Sequence, residues 1–195
     1  MTLRLQPDPE TAAAWRTFWQ LADSRLLNDQ AGGQIATQKL ISQFASQHPA
    51  ALMIAAVDAV ADTLVEWADD LGKNPACMAE TAFNMLHSQL TPPERLILFA
   101  ASETLLAQDP TGEAGRPHPV CHPWPAQAGV TSMAYAGQGE VLRKAIEAAP
   151  HTHGLEEHPV PVLCFSVPDV LTHLLWGLSR SDPDRMRDLI DQKQR

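Results

Sequence analysis

Histidine and cysteine, the side chains that most often bind zinc, are concentrated in one part of the sequence. Of the 8 histidines and 3 cysteines in the chain, six lie between residues 118 and 158: His118, Cys121, His122, His151, His153 and His158. Imidazole and thiolate suit a borderline-soft ion such as Zn²⁺, and two irregular loops can converge on one ion. Because the spacings match no standard zinc module, ordinary loop histidines are the alternative interpretation.

A second candidate is a row of carboxylates on one face of a predicted helix, here called the acidic stripe: Asp58, Asp62, Glu66 and Asp69. Their intervals of four, four and three residues place them within an arc of about 80° on an α-helix. Carboxylate oxygens are the ligands that Mg²⁺ prefers, so the stripe is a hypothetical magnesium site. The simpler interpretation is one solvated face on an otherwise apolar helix.

Nucleophilic catalysis has little support in the sequence. The GxSxG, P-loop and GxGxxG motifs do not occur in the chain. Cys121 is followed by His122, but neighbours in sequence rarely have the geometry of a Cys–His catalytic pair. Cys77 and Cys164 lie in apolar patterns that are typical of a protein core.

A candidate protein contact lies on a predicted helix in the last third of the chain. Most apolar residues of this helix share one leucine-rich face, whereas His173 and Trp176 lie away from it. Tryptophan is over-represented at the energetic centres of protein interfaces. Trp176 therefore indicates either a protein contact or a second face that packs against the remaining helices of this protein.

Helices must position all of these residues. Helix starts are predicted where a proline occupies the first helical position, at Pro9, Pro49, Pro75, Pro92 and Pro183. With the 3.6-residue periodicity, these starts predict helices over residues 9–28, 34–47, 49–71, 75–90 and 92–108. Gly32 and Gly33 are predicted to interrupt the chain between the first two helices. Trp15, Phe18 and Trp19 are the predicted core residues of the first helix.

The second half of the chain is less regular because prolines and glycines are frequent in it. The predicted elements, in order, are a loop over residues 109–130, a helix over 139–149, a loop over 150–161, a short strand over 162–165, a helix from Pro168 and a charged, peripheral helix over 183–192. Long irregular loops in a compact domain are usually functional or mobile.

Composition limits the class of protein and its partners. The chain has 195 residues, of which 45% are hydrophobic, and a formal net charge of −9. Because neither half is basic, direct binding to nucleic acid or to an anionic membrane surface is disfavoured. The odd number of widely spaced cysteines favours a reducing compartment, and the first residues lack the apolar segment of a signal peptide. We therefore expect a cytoplasmic protein.

The expected fold is mainly α, with an N-terminal antiparallel helical bundle over residues 1–108. Residues 109–195 are expected to form a loop-rich, partly helical part that packs on the bundle within one domain.

The expected function is that of a non-enzymatic intracellular protein-binding or regulatory subunit with a protein partner. The alternative is a metal-dependent enzyme that uses the histidine-rich loops or the acidic stripe. No cofactor is expected, with zinc as the first alternative and magnesium as the second.

Overall fold

The computed structural model of the chain describes residues 9–44, 48–86, 88–107 and 159–194. Its helices are α1 (Pro9–Leu26), α2 (Gln30–Phe44), α3 (Pro49–Leu71), α4 (Pro75–Leu86), α5 (Pro92–Ala107), α6 (Pro159–Leu178) and α7 (Pro183–Gln194). These ranges contain no strand. The predicted mainly α fold class is therefore confirmed. In the same ranges, no helix combines the length and the apolar character needed to cross a membrane.

Helix α3 lies at the centre of the described structure. It packs against α1, α4, α5 and α6. Because α3 is apolar around most of its circumference, it can be covered on several sides, and Leu52, Val60 and Leu64 are fully buried. One continuous hydrophobic core includes residues from all seven described helices. The helices on both sides of residues 108–158 therefore share a core.

Local sequence explains how several helices begin and end. The Asp182 carboxylate accepts a hydrogen bond from the backbone N–H of Asp184 at 3.0 Å, which caps α7. Glu94 accepts one from the backbone N–H of Thr91 at 2.8 Å, the reciprocal half of a capping box at the start of α5. Helix α3 ends at Gly72, whose φ of 62° lies in the left-handed region that glycine adopts without steric cost.

The predicted interruption at Gly32 and Gly33 is wrong. Helix α2 begins at Gln30 and runs through both glycines. Asp29 caps it, because its Oδ1 accepts a hydrogen bond from the backbone N–H of Gly32 at 3.0 Å. A β-carbon at position 32 would collide with this carboxylate, so the glycine leaves room for the cap. The Gly-Gly pair thus accompanies a helix start here.

The predicted strand at residues 162–165 is also wrong, because these residues belong to α6. A short apolar run does not distinguish a strand from a buried helical segment. Pro168 lies inside α6 and does not open it. The last helix is not peripheral either, since Met186, Leu189 and Ile190 of α7 are buried.

The predicted core of α1 is largely confirmed. Phe18 and Trp19 are fully buried, while Trp15 is partly buried and packs against the core. The rings of Trp15 and Trp19 meet edge to face, with 5.7 Å between their centroids. The helix predicted over residues 139–149 lies outside the described residues, as does the loop predicted over 109–130.

Candidate functional site

The predicted histidine and cysteine ligands are not among the residues that the structure describes. This applies to all six of them: His118, Cys121, His122, His151, His153 and His158. The described ranges themselves contain no group of three or more His, Cys, Asp or Glu side chains arranged to hold a metal ion. Two other surfaces of the described structure therefore need closer description, one on α3 and one on α6.

On α3, two members of the acidic stripe share one cation from α7. The Lys193 Nζ donates a hydrogen bond to Asp62 Oδ2 at 2.6 Å. It also lies 2.6 Å from Glu66 Oε2, which is close enough for an ion pair although this oxygen accepts no hydrogen bond of suitable geometry. We call Lys193, Asp62 and Glu66 the lysine clamp. The clamp joins α7 to the centre of the bundle.

The lysine clamp is only partly solvated. The Lys193 side chain is 16% exposed and lies 6.0 Å from the centroid of the Trp19 ring, at the limit of a cation–π contact. Burial alone would lower the pKa of Lys193, but the contacts with Asp62 and Glu66 outweigh it, and this pKa is raised. The ammonium is therefore held in its charged form.

The other two members of the acidic stripe lie beside the clamp. The side chain of Asp58 is partly buried and that of Asp69 is exposed. Next to Asp69, Asp70 contacts Arg185 of α7 at 2.7 Å, and the guanidinium of Arg185 holds the pKa of Asp70 below its ordinary value. The polar side of α3 thus contacts α7 at two places. The structure brings Asp62 and Glu66 of the stripe together with Lys193, and it pairs the neighbouring Asp70 with Arg185.

The second surface is the outward side of α6, which carries two large exposed aromatic side chains. Phe165 is 55% exposed and Trp176 is 51% exposed. Eleven residues separate them, which is close to three full turns, so they differ by about 20° around the helix and by about 16 Å along it. Asp169 and His173 lie between them on the same side. We call these four residues the aromatic face.

A charged contact fixes the centre of the aromatic face. Arg25 of α1 contacts Asp169 Oδ1 at 2.6 Å and donates a hydrogen bond to the backbone carbonyl of Phe165 at 3.0 Å. Proline has no N–H to donate and opens the helical turn that precedes it. Phe165 lies three residues before Pro168, in the turn that the proline opens, and Arg25 donates to its carbonyl oxygen. The polar centre is thereby tied to α1.

Besides Arg25, two titratable groups affect the pKa of Asp169: Glu94 and His173. Burial raises the pKa of Asp169, and the charge of Glu94 on α5 acts in the same direction, against Arg25 and His173. Glu94 is itself buried. The Nδ1 of His173 lies 2.8 Å from the backbone carbonyl of Asp169. Because a carbonyl oxygen only accepts, Nδ1 is the donor in this contact.

The inner side of α6 is closely packed, and this holds the aromatic face outward. Cys164 is buried, and burial raises the pKa of its thiol to about 12. This confirms Cys164 as a core residue, whereas Cys77 is only partly buried. A β-carbon at Gly177 would lie 2.5 Å from the Trp67 ring. Helices α3 and α6 therefore approach each other closely at that point.

Two surface depressions of the described structure lie elsewhere on its helices. The larger, of about 480 Å³, is lined by α1 and by residues near the α2–α3 junction, with Glu10 and His48 as its titratable side chains. The smaller, of about 250 Å³, lies beside α2 and includes Asp23 and Lys39. Neither includes residues of the aromatic face or of the lysine clamp.

Sequence reasoning found only part of these surfaces. It singled out Asp62, Glu66, His173 and Trp176, but it gave no role to Lys193. It also missed the two groups that complete the aromatic face: the aromatic ring of Phe165 and the Arg25–Asp169 pair. The eleven-residue spacing between Phe165 and Trp176 could have identified Phe165. It was not applied because the helix was predicted to begin at Pro168, whereas α6 begins at Pro159.

Known proteins provide no guide to these surfaces. No family model matches the chain, and no curated protein or solved structure is significantly similar to it.

Proposed function

We propose that this protein is a non-enzymatic protein-binding or regulatory subunit that contacts a protein partner through its aromatic face. The observation that carries the proposal is the alignment of two half-exposed aromatic side chains, Phe165 and Trp176, on one side of α6. Large exposed apolar side chains that lie together on one element often mark interaction sites.

The physical chemistry of these side chains suits a contact with a protein. Aromatic residues dominate the energetics of interfaces because they bury a large area and lose little conformational entropy. At their present exposure, about 100 Å² of each side chain is still available for burial. Burial at about 25 cal/mol per Å² would contribute roughly 2.5 kcal/mol for each.

The polar centre between the aromatic residues would provide specificity. Arg25 and Asp169 already form an ion pair, so a partner meets a fixed arrangement of donors and acceptors. The imidazole of His173, whose Nδ1 donates to the backbone carbonyl of Asp169, adds a polar group on the same side. A partner would have to offer apolar contacts about 16 Å apart with hydrogen-bonding groups between them.

The location that we propose is the cytoplasm. The number of cysteines in the sequence is odd, which suits a compartment where thiols are kept reduced. Cys77 and Cys164, the two cysteines in the described residues, are free thiols.

Affinity capture with matched variants tests the proposed function. Phe165→Ala and Trp176→Ala should each reduce recovery of the partner, and the double variant should abolish it. Met85→Ala and Leu27→Ala are the controls, because these side chains are 55% and 51% exposed elsewhere on the surface. Both controls should recover the partner as the wild type does. Equal recovery by all variants would contradict the proposal.

A further inference from the structure

The connection between α6 and α7 contains two residues in the left-handed backbone region. Helix α6 ends with backbone N–H groups of Arg180 and Ser181 bonded to the carbonyls of Gly177 and Trp176, at 3.1 and 2.9 Å. Arg180 has a φ of 57° and Ser181 a φ of 63°. Neither is glycine, so each adopts a conformation that is sterically unfavourable for its β-carbon. By contrast, the same kind of helix end on α3 uses Gly72.

Helix α7 packs mainly on α1 and α6 and makes charged contacts with α3. Its buried residues are Met186, Leu189 and Ile190. Its charged contacts are made by Arg185 to Asp70 and by Lys193 to the carboxylates of the lysine clamp. These carboxylates belong to α3, more than a hundred residues earlier in the sequence. The docking site for α7 is therefore built mainly by residues outside the connection itself.

Such a site accepts α7 from any copy of the chain. We propose that α7 is exchanged between two copies, so that Lys193 of one copy enters between Asp62 and Glu66 of the other. Every contact of α7 is preserved in the exchanged dimer because the two copies are identical, while the connection at Arg180 and Ser181 leaves its strained conformation. A short, strained connection favours this kind of exchange.

The exchange makes the lysine clamp an intermolecular site, in which the second copy supplies the cation. It is independent of the aromatic face, which lies on the outward side of α6. Failure of the proposed partner contact would therefore leave this inference unaffected, and failure of the exchange would leave the partner contact unaffected.

Complementary charge reversal in the full chain tests the exchange. One variant carries Lys193→Glu, and the other carries Asp62→Lys with Glu66→Lys, so α7 is repelled from its own chain in both. In an exchanged heterodimer, Lys193 of the second variant meets the natural carboxylates of the first. At the other site, the glutamate introduced at position 193 meets the two introduced lysines, so both sites pair opposite charges. After mixing, native mass spectrometry should show the heterodimer about tenfold more abundant than either homodimer. A mixture that contains only monomers, or heterodimer at the level expected from random pairing, would overturn the proposal.

A second measurement is independent of the stability of these charge variants. The wild type, refolded at high protein concentration, should contain a dimer that sedimentation velocity resolves from the monomer. Arg180→Gly removes the β-carbon that makes the left-handed conformation unfavourable, so it should lower the dimer fraction several-fold. Arg180→Ala also removes the contact with Asp70 but keeps the β-carbon, and it should retain the dimer. Absence of a wild-type dimer, or equal dimer fractions in the two variants, would overturn the exchange.

Discussion

The lysine clamp and the aromatic face both contain charged side chains on helices that pack in the same core, yet they differ in what they leave exposed. In the clamp, the carboxylates of Asp62 and Glu66 share the ammonium of Lys193, which is only 16% exposed. In the aromatic face, the Arg25–Asp169 pair is also formed, but two large aromatic side chains beside it remain half exposed. The clamp is closed by this chain, whereas the aromatic face is open.

The surface that we propose for partner binding is therefore not the most charged one. The acidic stripe is the most conspicuous charged pattern in the sequence, and its central members hold α7 in place. The aromatic face has less charge, but it has apolar area that the described helices do not cover. We therefore infer that the clamp contributes stability and the aromatic face contributes binding, and the following predictions separate these roles.

Among variants of the two surfaces, the largest effect on stability is expected from Lys193→Met, which removes the cation of the clamp. Asp62 and Glu66 would then repel each other without the ammonium that lies between them. The free energy of unfolding should fall by about 2 kcal/mol, less than the ~3–5 kcal/mol of a fully buried pair because these groups keep some contact with water. Urea unfolding measures the loss.

The matched control for Lys193→Met neutralises the entire clamp. Adding Asp62→Asn and Glu66→Gln to Lys193→Met removes the repulsion together with the cation, so it should restore most of the lost stability. If Lys193→Met alone had no effect, the clamp would be an ordinary surface ion pair.

The next effect concerns Cys164 on the inner side of α6 and appears at alkaline pH. Burial raises the pKa of this thiol from 9.0 to about 12, so the folded protein retains a proton that the unfolded chain loses. The associated stability is complete below pH 9 and falls as the pH rises toward 12. Between pH 9 and 10.5 the wild type should lose roughly 1–2 kcal/mol more than Cys164→Ala does. If both proteins lost the same free energy of unfolding over this pH range, the thiol of Cys164 would have to be in contact with solvent, and the prediction would be contradicted.

A smaller effect on stability is expected at the aromatic face. Phe165→Ala and Trp176→Ala should each change the free energy of unfolding by less than about 1 kcal/mol, because both side chains are half exposed. Phe18→Ala, in the fully buried core of α1, should cost about 3–5 kcal/mol. Similar losses in thermal or urea unfolding for all three variants would show that the aromatic face supports the fold.

The smallest effect is expected from magnesium. Because the ammonium of Lys193 already lies between Asp62 and Glu66 and compensates one of their two charges, millimolar Mg²⁺ should shift the Tm of the wild type by less than about 1 °C. Lys193→Met removes the ammonium from between the two carboxylates and is the sensitive comparison in the same assay. A clear rise in Tm for the wild type would restore the acidic stripe as a metal site.

The sequence predicted the features that depend on neighbouring residues. Proline at the first helical position correctly located the starts of α3, α4, α5 and α7. The fully buried Phe18 and Trp19 also followed from local periodicity. The zinc hypothesis for the histidine-rich residues stays a prediction, which elemental analysis of protein purified without chelator would test.

Two features escaped prediction because they depend on tertiary structure. The contact of Lys193 with Asp62 joins residues 131 positions apart, and no spacing rule connects such residues. The upstream half of α6 was missed because Pro168 predicts a helix start, although packing on α1, α3 and α5 sustains a helix through it. That half contains Phe165, so only His173 and Trp176 of the aromatic face were recognised from the sequence.

Site-specific photo-crosslinking tests the central claim most directly. A photoreactive phenylalanine analogue would replace Trp176 in the full-length protein, expressed in its own host, and would replace Met85 in the control. The account predicts that position 176 forms a discrete crosslink to a second protein and that position 85, equally accessible but on α4, does not. Crosslinks from position 176 that stay within this chain, or that match those from position 85, would contradict the account.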